Sequence, residues 1–254
     1  MELDIFIVDV FTKQRFKGNS AAVIPLDNWL DPVMMQQIAT QNSFSETAFI
    51  KALTENRYEI RWFSPITEID FCGHATLASS FVIFNHFGYQ GEIEFLTLEV
   101  GTLVVNQLSD GRIEMSFPNQ CPDPVIDVPP ALLEGLSYEP VHVLRNRQAY
   151  FAVMSSEYEV MSINYNAERL KLLAPFDVVV TAQAQAKDYD FISRYFWPAP
   201  GGDEDPVTGS IHSGLAPYWA EQLSQCILVG YQPSKRSGIV FCKLVCNSVL
   251  VTGL

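Results

Sequence analysis

The chain is short of positive charge. Its 254 residues hold 16 Lys and Arg against 29 Asp and Glu, a formal net charge of -13. Such a balance lacks the basic footprint of a nucleic-acid binder and repels anionic membrane surfaces. No run of about 18 apolar residues occurs, so no bilayer-spanning helix is expected. Cysteine is sparse, five in all and irregularly spaced. That argues against a disulfide framework and for a reduced, cytoplasmic protein. The N-terminal MELDIFIVDVF carries acids where a secretory leader carries Lys or Arg, so no leader is expected. No GxGxxG, P-loop or GxSxG is present, which removes support for nucleotide and serine-hydrolase readings. His74, His86, His142 and His212 show no metal-ligand spacing, and no metal is expected.

What is there is apolar and patterned. Hydrophobic residues make up 48% and charged residues 18%, enough for one large core or two small ones. LDIFIVDVF (3–11), AAVI (21–24), ETAFI (46–50) and YEIRWF (58–63) read as strands. Asp31-Pro32 reads as an N-cap with proline at the first helical position, opening a helix to about Gln41. EIEFLTLEVGTLVVNQL (92–108) and RIEMSF (112–117) read as a meander turning at Gly101 and Asp110-Gly111. NQCPDPVIDVPP (119–130) holds four of the fifteen prolines and reads as a linker between halves 1–118 and 131–254. Beyond it, 141–146, 150–155, 177–184 and 190–198 are strand-like, with a helix near 167–173. GIVFCKLVCNSVLVTGL (238–254) reads as two strands, in which Cys242 and Cys246 share one face as buried thiols.

Two segments break the pattern. Phe71–Gly91 and Pro206–Ala220 contain no Asp, Glu, Lys or Arg. Each holds a helix-like run, 74–87 and 210–223, and a helix with no charged face is buried all round. Gly88 reads as the cap ending the first, while Pro217 predicts a kink or a restart in the second. Each run follows a glycine, Gly73 or Gly209, about half the chain apart, with acids shortly before: Asp70 and Asp205. This is a weak internal repeat, and it predicts two similar halves, each a sheet around one central helix.

Chemistry is expected at these helix starts. Two helix N-termini facing across a cleft offer unpaired N–H groups and partial positive charge to a carboxylate or a forming enolate. The bland alternative is two tight turns before buried helices. Glu46, flanked by Phe44, Ala48 and Phe49, is the candidate acid/base, because burial among apolar groups raises a carboxyl pKa toward neutrality. A surface glutamate at a strand edge is the alternative there. His74 and His212 stand near the helix starts, His86 reads as structural, and Cys72 precedes Gly73 where a thiolate would be stabilised.

Taken together, GNSAAV (18–23), SETAF (45–49), DFCGHATLASS (70–80), DEDPVTGSIHSGLAPYWAE (203–221) and QPSKRSG (232–238) resemble the PhzF family of phenazine-biosynthesis isomerase-like proteins. The resemblance spans nearly the whole chain. It implies an α+β, diaminopimelate epimerase-like fold of two pseudo-symmetric domains, each a mixed sheet or barrel around a central helix. It implies a cofactor-free isomerase, commonly a homodimer, that moves a proton on a small carboxylated, often cyclic substrate. The catalytic group then falls on Glu46, with His74 and Asp205. Asn19, Ser45, Gly73, Gly209 and Ser210 fall on substrate-binding positions. Related epimerases use two cysteines; Cys72 fits the first position and DPVTGS offers no second thiol, which favours one base over two. A racemase using Cys72 or Asp205 as second base, and a non-catalytic small-molecule binder, are the alternatives. Family members usually continue past VLVTGL with one more strand, so the packing of the C-terminus onto the first half is left open.

Overall fold

The computed structural model describes residues 2–199 and 201–253. The chain divides into two compact units, one holding residues up to Ser116 and those from Thr252, the other Phe117–Val251. The first unit is built from β1 (Phe6–Val10), β2 (Asn19–Leu26), α1 (Pro32–Asn42), β3 (Glu46–Ala52), β4 (Arg57–Phe63), β5 (Glu68–Ile69), α2 (Gly73–Asn85), β6 (Ile93–Leu96), β7 (Thr102–Gln107) and β8 (Ile113–Pro118), which runs to its boundary. The second is built from β9 (Asp123–Pro124), α3 (Pro130–Gly135), β10 (His142–Arg145), β11 (Ala149–Val153), α4 (Glu157–Ser162), α5 (Ala167–Leu170), β12 (Asp177–Gln183), β13 (Phe191–Phe196), β14 (Glu204–Asp205), α6 (His212–Leu223), β15 (Ile227–Gln232), β16 (Gly238–Val245) and β17 (Ser248–Gly253). The end of β17 belongs to the first unit, where Thr252 lies 3.5 Å from Glu114 and a side chain on Gly253 would strike Leu77 and Phe11. Leu254, the last residue of the strand expected there, lies outside the described residues.

Local sequence explains the helices. Asp31 Oδ1 accepts from Val33 N at 2.8 Å and Pro32 opens α1, as its pattern predicts. In α2 eleven of thirteen residues are buried. Its three hydroxyls bond back to carbonyls four residues earlier, Thr76 to Cys72, Ser79 to Ala75 and Ser80 to Thr76, so each buried hydroxyl has an acceptor. Gly88, at φ +73, lets Tyr89 N return to Ile83 O at 3.3 Å and end the helix.

Of the two forms expected for the second central helix, a restart at Pro217 is not found. α6 is one helix through Pro217, starting at His212 rather than 210, and neither breaks nor restarts. Proline removes the donor for the Ser213 carbonyl, and Gln120 N supplies it instead at 3.0 Å. The turn before α6 closes tightly, His212 N to Gly209 O at 3.2 Å and Ser213 N to Ser210 O at 3.1 Å. A second correction concerns the cysteines. Cys242 is buried in β16, but the strand ends at Val245 and Cys246 is exposed in the following turn at φ 51, so the two do not share a face.

The internal repeat is carried by the pairing of the strands. In the first unit β1–β2 is antiparallel, β2–β3 parallel, β3–β4 and β4–β5 antiparallel, β4–β6 parallel and β6–β7 antiparallel. In the second, β10–β11, β11–β12, β12–β13, β13–β14, β13–β15 and β15–β16 follow the same sequence of directions. The register repeats as well. Glu46 opens β3 opposite Ala21, and the next residue faces Phe63; Asp177 opens β12 opposite Ala149, and the next residue faces Phe196. Phe63 faces Glu68 and Phe196 faces Glu204. Each unit closes this corner with a bidentate ion pair: Arg61–Glu68 at 2.6 and 2.7 Å, Arg194–Glu204 at 2.7 and 2.8 Å.

Candidate active site

In the first unit three element starts converge. Gly18, at φ +71, has its Cβ position 2.1 Å from Val10 O, so no side chain fits before Asn19 opens β2. Ser45 and Glu46 lead into β3, and Gly73 and His74 open α2. The N-cap Cys72 makes no aligned side-chain capping bond, though its sulfur faces the Ala75 N–H in the first turn of α2. Glu46 and His74 are 8% and 6% exposed. Glu46 Oε2 lies 2.9 Å from His74 Nε2. That oxygen is buried and has no aligned hydrogen-bond donor among the described residues. Ser45 Oγ stands 3.3 Å from the same nitrogen, 3.4 Å from Asn19 Oδ1 and 3.3 Å from Ser20 O. Cys72 Sγ meets the other ring nitrogen, Nδ1, at 3.4 Å.

The charges follow from these contacts. Burial would raise the Glu46 pKa, but the His74 ring beside it prevails and holds it below the ordinary carboxylate value. This reverses the sequence expectation of a raised carboxyl, which took burial into account and not the imidazole. Burial would lower the His74 pKa; its neighbours Cys72 and Glu46 lift it well above the ordinary imidazole value. Burial also raises Cys72, which is therefore a thiol at neutral pH. Glu46 is a carboxylate beside one nitrogen of the His74 ring, and the Cys72 thiol faces the other. Glu46, Cys72 and His74 also offer three donor atoms within 4.8 Å, close enough for a metal ion. The carboxylate and the sulfur nevertheless lie nearest different nitrogens of one ring, which is the layout of a proton chain.

The second unit gathers Asp205, Gly209 and Ser210 before α6. Asp205 Oδ2 accepts from the Thr208 hydroxyl at 2.5 Å. The buried Gln232 amide ties the loop at both ends, donating to Asp205 O at 2.7 Å and accepting from Thr208 N at 3.0 Å. His212 is buried, its Nδ1 2.8 Å from Thr208 O; burial lowers its pKa to about 4, so it is neutral and donates there. It braces the loop and is unsuited to carrying charge. Ser210 Oγ accepts from Gln148 Nε2 at 3.0 Å, and Gln148 Nε2 also donates to Tyr195 OH at 3.0 Å. Tyr195 donates to Asp177 Oδ2 at 2.5 Å. Thr208 and Gln232 lie within DPVTGS and QPSKRSG, where they were open to being singled out. Gln148, Asp177 and Tyr195 belong to no motif and appear only through the register.

The family model for phenazine biosynthesis-like proteins matches residues 8–253. The chain belongs to this PhzF family. An uncharacterised isomerase of Halalkalibacterium halodurans is 40% identical over 255 residues, covering 100% of this chain and 95% of the relative. The crystal structure of a PhzF-family protein from Enterococcus faecalis superposes with a TM-score of 0.93 at 36% identity, covering 100% and 96% of the two chains. A hydroxyproline epimerase from Agrobacterium vitis shares the fold alone, with a TM-score of 0.53 at 9% identity, covering 97% and 87%. The fold is therefore the epimerase-like one, and this PhzF-family chain is an isomerase.

Proposed function

We propose that this isomerase moves a proton on a small carboxylated molecule without a cofactor, and that Glu46 is its base. The observation carrying the proposal is the buried Glu46 Oε2, which has no aligned donor among the described residues and stands 2.9 Å from His74 Nε2. A carboxylate poised this way takes a proton from carbon, and the His74 ring steadies the negative charge that remains on the substrate. In this reading Asn19 and Ser45 hold the edge of the Glu46 pocket, and the helix start at Gly209 and Ser210 is taken by itself as a place for a carboxylate. A racemase with Cys72 as second base asks for a thiolate, and burial of that thiol speaks against it.

Deuterium exchange tests the proposal. The protein is incubated in heavy water with a panel of small cyclic and acyclic amino and hydroxy acids, and each is followed by proton NMR. Loss of one C–H signal with retained configuration supports the one-base reading. Deuterium entering both enantiomers at the α-carbon would establish a racemase instead.

A further inference from the structure

The repeat places a second carboxyl where the first unit has Glu46. Asp177 opens β12 as Glu46 opens β3, with the same partners in register. It is linked to Ser210 by a continuous hydrogen-bond chain through Tyr195 and Gln148.

The direction of that chain follows from its members. An ionised carboxylate only accepts, so Tyr195 donates to Asp177 and its oxygen must accept from Gln148. Gln148 therefore presents its NH2 group, one hydrogen to Tyr195 and the other to Ser210. Ser210 Oγ, having accepted, is left with its own hydrogen to donate, and no acceptor for it occurs among the described residues.

We infer that Asp177 is a positioning residue: acting through Tyr195 and Gln148, it turns the Ser210 hydroxyl into an outward donor for a carboxylate. This rests on the reading that the helix start at Ser210 takes a carboxylate. Protonation of Asp177 gives the chain a second direction, reversed from the first. The acid then donates to Tyr195, Tyr195 donates to Gln148 Oε1 after an amide flip, and Ser210 donates inward and shows the ligand only lone pairs. The charged and titratable neighbours of Asp177 are Tyr195 on β13 and Asp205 on β14. Burial, opposed by the Tyr195 bond and aided by Asp205, raises Asp177 to about 6, which places the reversal in mildly acidic solution.

The test uses formate, an anion still ionised at about pH 5, as the probe. Its binding is followed at the backbone amides of Ser210 and Ile211 by nitrogen–proton NMR. For the unaltered protein, affinity is expected to fall by about fivefold or more between about pH 7.5 and pH 5, the scale of one charge-assisted hydrogen bond. Asp177→Asn does not titrate and, like the protonated acid, carries both a donor and an acceptor, so its affinity should be flat with pH and near the weaker, acidic value. Tyr195→Phe, which cuts the chain, should bind weakly at both pH values. The same fall in Asp177→Asn as in the unaltered protein would overturn the role of Asp177 while leaving the carboxylate site standing. Amides unmoved by formate at either pH would overturn the site at Ser210 and the inference with it, and leave Glu46 to its own test.

Discussion

Glu46 Oε2 and His74 Nε2 stand 2.9 Å apart, the start of β3 against the start of α2. Each shifts the other in the direction that keeps both charged.

This pairing has a pH signature. The Glu46 pKa is depressed in the folded protein, so its contribution to stability is present above the ordinary carboxylate value and lost as pH falls through the folded one. The His74 pKa is raised, so its contribution is present below the ordinary imidazole value and lost as pH rises through the folded one. The pair therefore stabilises across neutral pH. In His74→Gln only the Ser45 bond still opposes burial, so the Glu46 pKa rises. The acid limb of activity should move to higher pH, while the stability lost on acidification should shrink, read from paired pH profiles.

Pro217 is compensated by Gln120 N at Ser213 O. Pro217→Ala should change stability by less than about 1 kcal/mol in urea unfolding, against about 3 for proline in an ordinary helix interior. A gain approaching 3 kcal/mol would show that the gap in the helix is not filled.

Arg61–Glu68 and Arg194–Glu204 are matched bidentate pairs at equivalent corners. Arg194 also donates to Ile163 O at 2.9 Å. Lysine keeps the charge and loses the fork, so Arg194→Lys should cost about 1–3 kcal/mol by denaturant unfolding. A cost near zero would reduce the pair to a surface contact.

Much of this was legible in the sequence, for physical reasons. Missing charge over 71–91 and 206–220 marked α2 and α6, because only full burial tolerates it. Asp31-Pro32 and Gly88 marked helix ends, because each supplies a backbone geometry few residues allow. Glu46 and His74 were legible as candidates and their coupling was not: the sign of a pKa shift depends on which neighbour arrives, and β3 and α2 bring them together across 28 positions of chain. β15 went unread because ILVGYQ is short and interrupted by Gly230; α3 and α4, six residues each, carry too few turns for a helical period. Asp177 was read only as the first letter of a strand. Its equivalence to Glu46 lies in strand register, which local periodicity does not encode.

The most direct test of the central claim is the rate of carbon-bound hydrogen exchange in heavy water with Glu46→Gln. The substitution keeps the shape of the side chain and removes the base. The account predicts a loss of about 100-fold or more with a thermal midpoint close to that of the unaltered protein. Near-normal exchange by a folded Glu46→Gln protein would contradict it and move the base elsewhere.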